Sequence, residues 1–493
     1  MQDIKIWEEK IKEKRKKTEF RKFLKEIASW KPFGFYKTDG ILSRYPQTDR
    51  IGKIVPASKY NRDSLKSLNY DFDITFFENF RKLIHTVDLR ALVDYSGNEN
   101  SEFADCIFGG KNVYLSTVVG INSENILYSA FSYVSIKNVF NSVLVTDNSE
   151  NIYWSTMITN SFNIFYSKNI SNSSNIWFST NLIGCSNCIG CNLLENKSYC
   201  IGNKEYSKEN FEKYKKEILK EKNDFLKNYK LSNHDFTNYG SVNVKGKGLF
   251  FCDNVENGYF FKRLKNGRNV LIGTGGSGVE NYYDCIDVGS EAYDFYGVTS
   301  AGNGNNLYMS SEVGWDSYIY YSLDLESCSF CLGCIGLKNK SFCILNKQYS
   351  KEEWYELANK IFSQMEADGI LGDFFPGELN PFYFNDTMAY LIDDSFTKDE
   401  VISDGYMWRD EKIKVDIPEN AEIVETKNLS SFQGFDSNGN WQINPEIMKK
   451  VIQDENGNIY KIVPMEYEFL MKHGLPLPEI HWLDRIKLGF KFK

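Results

Sequence analysis

Histidine is nearly missing from this 493-residue chain: His85, His234, His473 and His481 are the full set. Chemistry that turns on imidazole as a base or a metal ligand therefore has few places to reside. Proline is held to 10 residues and glycine to 35, which excludes a collagen-like or disordered composition. No apolar run approaches the ~20 residues that span a bilayer. The N-terminus is charged and lacks the apolar stretch of a secretory signal. We therefore expect a cytoplasmic protein without a membrane partner. In that compartment its 11 cysteines are expected as free thiols or metal ligands, not disulfides.

An excess of positive charge is missing too. The net charge is −8, so nucleic acid is not the expected partner. The exception is residues 10–17, KIKEKRKK. With its interleaved glutamates the run reads as a solvated helix face, the other reading being a nucleic-acid contact.

What the chain does have is aromatics, 36 Phe and 31 Tyr, and they are periodic. One column of asparagines reads Asn112, Asn125, Asn138, Asn151, Asn163, Asn175 and Asn187, in steps of 12 or 13 residues. One position on is aliphatic: Val113, Ile126, Val139, Ile152, Ile164, Ile176, then Cys188. Two on is large: Tyr114, Leu127, Phe140, Tyr153, Phe165, Trp177, Ile189. Four on is Ser116, Ser129, Ser142, Ser155, Ser167, Ser179, then Cys191. A looser second series runs through Asn257, Asn269, Asn281, Tyr293, Asn306, Tyr318 and Phe330.

A repeat this short cannot bury a face alone, but stacked in register its coils pair backbone to backbone and form side-chain ladders. The expected fold is mainly β with α caps: a duplicated parallel β-solenoid, each block closed by a helix, plus a small α+β terminal module. Strand alternation puts the aliphatic column on one face and the Asn, aromatic and Ser columns on the other. Two repeats could also make one coil of about 25 residues. The expected segments are a helical N-terminal cap over 1–100, a first solenoid over 101–203, and a helix and linker over 204–240. A second solenoid follows over 241–346, a helix over 347–368 and a C-terminal α+β module over 369–493. Residues 1–30 read as one amphipathic helix, FFENFRKLI (76–84) as another, and Ser350 with Glu353 as a capping box for the helix after the second block.

Both blocks end on the same motif. Cys185, Cys188, Cys191 and Cys200 form CxxCxxC-x8-C, copied as Cys328, Cys331, Cys334 and Cys343. Four thiols with two-residue gaps suit a closed, structural zinc site, and an iron–sulfur cluster is the less favoured use of the same ligands. The other reading is that they fill the Val and Ser columns as small apolar side chains. Cys106, Cys252 and Cys285 stand apart and read as core. Asp284, Asp287 and Asp294, with Glu280 and Glu291, group in the second block. Such carboxylates can cut glycosidic bonds or hold calcium, or form a solvated acidic face. GTGGSG (273–278) lacks the Lys-Ser/Thr of a phosphate loop and reads as a solenoid turn. The aromatic column is expected to pack against flanking elements, the alternative being an exposed contact surface.

Residues 70–80 (YDFDITFFENF), 100–115 (NSEFADCIFGGKNVYL), the two cysteine motifs with their following NK-x-YSKE, and FFPGELNPF (374–382) occur in this order. In that respect the chain resembles the large Cys-rich repeat proteins of candidate-phyla bacteria with reduced genomes. The resemblance implies coils with paired cysteines and zinc-ribbon-like CxxC pairs near the ends; it carries no established activity. Here Val, Ile, Ser and aromatics fill most coil positions, and residues 452–485 keep an LPLP frame without a CxxC.

The functional expectation is a non-enzymatic scaffold or protein-binding repeat protein, with structural zinc as its one candidate cofactor. The alternative is a carbohydrate-acting β-helix enzyme using Asp284, Asp287 and Asp294.

Overall fold

The computed structural model describes residues 2–95, 97–220, 236–289, 293–412 and 420–490. In the repeats the backbone turns a corner at every third residue. Asn163, Tyr166, Asn169 and Asn172 have φ of 58°, 50°, 54° and 49°, the left-handed region that asparagine tolerates better than other side chains do. Each coil is therefore four-sided, with three residues to a side. Parallel pairing sets Ile152 against Ile164, Ile164 against Ile176, and Ile176 against Cys188. One repeat is thus one whole coil, and the 25-residue coil is excluded. The 13-residue coils place their extra residue at the fourth corner, where Val134 and Ser135, and then Asp147 and Asn148, are all left-handed.

This three-residue period corrects the face assignment. A corner lies between the aromatic and the serine of each repeat, Trp154 (φ 48°) or Tyr166 (φ 50°). Turning there sends both the aliphatic and the serine positions inward and leaves the aromatic outside. Ile164, Ser167, Ile170 and Ser173 line one coil, one from each side, and all are buried. Aliphatic side chains from two opposite sides fill the lumen, each stabilising by about 1.5–3 kcal/mol when fully buried. The serines satisfy the backbone on the other two sides. Ser155 Oγ donates to the Tyr153 carbonyl at 2.9 Å and accepts the Ser167 N–H at 3.1 Å, and Ser167 repeats this toward Phe165 and Ser179.

The second solenoid keeps the same four-sided coil with a varied filling. Residues six apart face each other across the lumen, and their sizes compensate. Phe295 stands opposite Ala301, Leu307 opposite Val313, Ile319 opposite Leu325, and Cys331 opposite Leu337, all inside one buried cluster. Gly273 lies one coil on from Phe261 in the same inward column and leaves room for it, since a Cβ there would overlap the Phe261 ring. The GTGGSG run lies within the strand Asp253–Gly289, as wall of the solenoid and not as a phosphate loop.

The chain divides into two units, residues 1–92 with 237–410 and residues 93–236 with 411–493. In the first of these the N-terminal segment lies on the second solenoid. It holds α1 (Gln2–Arg15), α2 (Phe20–Glu26) and α3 (Phe76–Ile84). The single helix expected over residues 1–30 is broken because the solenoid uses its carbonyls: Arg268 donates to Lys16 O and Asn269 to Thr18 O, at 2.8 and 2.9 Å. Thr75 and Glu78 close a capping box at α3.

In the other unit the repeats end on α4 (Lys208–Lys220), with Phe211 buried beside Tyr199; the rest of the helical stretch expected beyond 220 lies outside the described residues. Its counterpart after the second solenoid is α5 (Lys351–Ala367), with the Ser350–Glu353 capping box in place. Two short helices follow, α6 (Met388–Ile392) and α7 (Lys398–Ser403). The region 369–493 is shared between the units at residue 410. Its later part carries α8 (Pro464–His473), ended by the left-handed Gly474, and α9 (Trp482–Gly489). These two helices cover the aromatic row of the first solenoid. Phe469 stacks on Phe140 at 4.2 Å, Trp482 on Tyr128 at 6.2 Å, and Arg485 forms a fully buried pair with Glu466 at 2.8 Å. Among the described residues no helix is long and apolar enough to cross a membrane.

Candidate functional site

The cysteine motifs follow from the coil. A gap of two residues is one side of the four-sided turn, so Cys185, Cys188 and Cys191 sit on three successive sides. Cys200 lies one coil on, in register with Cys188. Cys328, Cys331, Cys334 and Cys343 repeat the arrangement, with Cys343 in register with Cys331. All eight are buried and face the lumen at the last coils. Within each cluster the neighbouring thiols act on one another: they hold the Cys185 and Cys328 thiols below the ordinary thiol range and push Cys188 and Cys331 above it.

The same thiols also continue the serine ladder. Cys191 Sγ donates to Ile189 O at 3.5 Å and accepts the Asn203 N–H at 3.4 Å, and Cys334 does so toward Leu332 and Asn346. In ligand type the clusters suit a soft metal ion. As the side chains stand, each sulfur is turned to the carbonyl two residues back. Among the described residues no three His, Cys, Asp or Glu side chains are set to hold an ion. Cys252 and Cys285 belong to the second solenoid's core, and Cys106 is buried at a corner.

The two clusters differ in one residue that the sequence analysis passed over. One coil below Cys185 the lumenal position is Ser173, whose Oγ accepts the Cys185 N–H at 3.0 Å. One coil below Cys328 it is Asp316, whose carboxylate accepts the Cys328 and Gly314 N–H groups at 2.5 and 2.7 Å. Asp316 is 2% exposed. No cation pairs with it among the described residues, and burial pushes its carboxyl up to about 8. An acid in an inward column of serines was the available signal. Above the cluster Trp354, wholly buried, donates its indole N–H to Cys343 O at 3.2 Å.

The acidic trio occupies three different corner columns, and each member meets its own cation from the N-terminal segment. Asp284 pairs with Arg15 at 2.6 Å, both fully buried, and also accepts from Asn269 at 2.7 Å. Burial works against the Arg15 charge, but Asp284 and Glu26 outweigh it and hold the guanidinium protonated. Asp287 pairs with Lys31 at 3.1 Å and Asp294 with Lys12 at 3.5 Å. Glu280 meets Lys265 at 3.3 Å, and Glu291 lies outside the described residues.

The basic run is solvated in part, Lys10 and Lys17 being exposed, and docked in part: Lys12 and Arg15 pair with the solenoid, Lys14 with Asp373 and Lys10 with Glu366. Further along the corner column of Asp287, Glu312 takes Arg44 at 2.9 Å and Asp324 takes Arg62 and Arg90 at 3.1 and 3.0 Å. Acids one or two coils apart thus dock a row of N-terminal cations, a pairing that a single-chain reading of charge does not reveal.

The fold defines a parallel β-solenoid protein with a duplicated, thiol-closed end. No protein-family model, curated protein or solved structure matches the chain.

Proposed function

We propose that the chain is a non-enzymatic scaffold that offers the outer wall of its first solenoid to a protein partner. The observation that carries this reading is the asparagine ladder. Asn100, Asn112, Asn125, Asn138, Asn151, Asn163, Asn175 and Asn187 each donate to the next at 2.8–3.2 Å. Each link uses one amide N–H and one carbonyl lone pair, which leaves a second of each on every rung. Beside the ladder runs an in-register row of Lys111, Glu124, Lys137, Glu150 and the exposed Phe162. This makes a straight polar strip with a rung at each coil, about 4.8 Å apart. The candidate chemistry elsewhere is engaged: the acidic trio is ion-paired, and α8 and α9 cover Phe140 and Tyr128.

The test pairs partner capture with an activity screen. The scaffold reading expects a protein that binds the full chain, is lost in Phe162→Asp with Lys137→Ala, and is kept in Asp287→Asn. It also expects no reducing sugar from a panel of polysaccharides. Sugar release by the wild-type chain, abolished in Asp287→Asn, would overturn it in favour of the glycoside-cleaving alternative.

A further inference from the structure

We propose that the partner of the first solenoid's outer wall is a second copy of the chain, seated antiparallel on it about a two-fold axis between the coils of Glu124 and Lys137. This rests on the scaffold reading and names the partner. The order of the charges carries it. Just before the asparagine ladder, one residue per coil, the wall presents Glu99, Lys111, Glu124, Lys137 and Glu150, then Phe162. A strictly alternating row is its own complement when reversed. A half-turn about an axis lying in the wall, across the coils, reverses the row and keeps each column facing its own kind. With the axis midway between Glu124 and Lys137, Glu124 meets the partner's Lys137 and Lys111 meets the partner's Glu150, each contact occurring twice by symmetry. Within one chain Lys111 pairs with Glu99 at 3.1 Å and Lys137 with Glu124 at 3.0 Å, all four well exposed. A carboxylate with two oxygens and an ammonium with three N–H groups can each take a second partner, so the facing row adds to these pairs.

The flanking columns select the same axis. Three residues before Glu124 and Lys137 stand Ile121 and Val134, 51% and 47% exposed and one coil apart, with the Ser135 N–H donating to Ile121 O at 2.9 Å. The half-turn sets Ile121 against the partner's Val134, so exposed aliphatic surface is covered by its like. On the other flank Asn125 faces the partner's Asn138, and each rung offers its spare N–H and lone pair. Other registers do worse. An axis through a coil opposes every charge to its like. One coil toward Phe162, Glu124 meets the partner's Phe162. One coil the other way, Ile121 meets the partner's Gly109, which lies one coil before it. The strip from Glu99 to Phe162 is about 29 Å long and one three-residue side wide. That is an interface of the small, reversible class, whose charges set register more than strength.

Sedimentation velocity on the full-length chain, across the micromolar range at low salt, tests this. A monomer–dimer equilibrium that stops at two chains and weakens as salt is added is expected. Glu124→Lys and Lys137→Glu should each weaken it by at least about 10-fold, since either reversal turns two attractive contacts repulsive. Mixed in equal amounts, the two variants should recover the dimer as a heterodimer, because position 124 of one then meets position 137 of the other with opposite charge at both contacts. Damage confined to the row within one chain would not be repaired by mixing. Circular dichroism checks that each variant is folded. A wild-type chain that stays monomeric overturns the proposal, as does association indifferent to both reversals or a loss that mixing fails to restore. A monomeric chain that still captures a different protein, lost in Phe162→Asp with Lys137→Ala, overturns this inference and leaves the scaffold reading standing. A monomeric chain whose wall captures nothing ends both.

Discussion

Replacing Asp284 by asparagine should destabilise the unit that contains the second solenoid more than any change at the solenoid surface. Arg15 and Asp284 are both fully buried, 2.6 Å apart, and Glu26 is the other carboxylate on the guanidinium, at 2.9 Å. Asparagine keeps the shape and the acceptor but removes the charge, leaving a buried guanidinium half-compensated. Breaking a buried pair from one side costs about 3–5 kcal/mol. With about 2–4 °C per kcal/mol for domains of roughly this size, the melting point should fall by roughly 6–20 °C. Tryptophan fluorescence reports the transition, since Trp7, Trp30 and Trp354 belong to this unit. The double replacement Arg15→Met with Asp284→Leu should recover most of the loss, because a packed apolar pair avoids the desolvation that the ions carry. A loss below about 1 kcal/mol in Asp284→Asn would refute the reasoning. So would a double variant as unstable as the sum of its singles, since residues in contact should couple.

Ser155→Ala should cost about 1–3 kcal/mol, because the Ser167 N–H and the Tyr153 carbonyl lose their lumenal partner. Ser155→Cys should cost less, as a thiol already holds this place at Cys191; urea denaturation of both variants measures the difference. His473 lies between Phe165 and Phe469, its ring tilted against both at 5.3 and 4.4 Å. Burial lowers its pKa to about 4. The unfolded chain therefore takes up this proton first, so the contribution is complete above about 6.5 and is lost as pH falls from there toward 4. His473→Phe should flatten the stability–pH curve in that window, which denaturation at several pH values checks.

The repeat and the register of its first block were legible because identical side chains stack on themselves: the column from Asn112 to Asn187 is the ladder seen in space. In the second block the expected column slips by one at Tyr293, where Asp294 stacks on Asn281 instead. The faces were misread because alternation assumes an uninterrupted strand. Left-handed corners such as Trp154 and Tyr166 break it, and nothing local marks a tryptophan as left-handed. Stacking holds it there, as between Tyr166 and Phe178, 5.3 Å apart. The cysteine spacing was legible as a motif, but its cause was not. A two-residue gap serves a metal knuckle and a three-residue coil side alike, and only the corners decide. The pairing of Arg15, Lys31 and Arg44 with Asp284, Asp287 and Glu312 bridges more than 250 residues of chain, which no periodicity encodes. Asp316 could have been found once the inward column was known.

The central claim is that both cysteine motifs face a sealed lumen, and the reactivity of the native thiols tests it most directly. In the presence of chelator, a small disulfide reagent should modify essentially none of the 11 cysteines of the folded chain, all of them buried, and all of them once guanidinium unfolds it. Rapid native labelling of the four cysteines of either motif, with the circular dichroism unchanged, would place them on the outside and contradict the account.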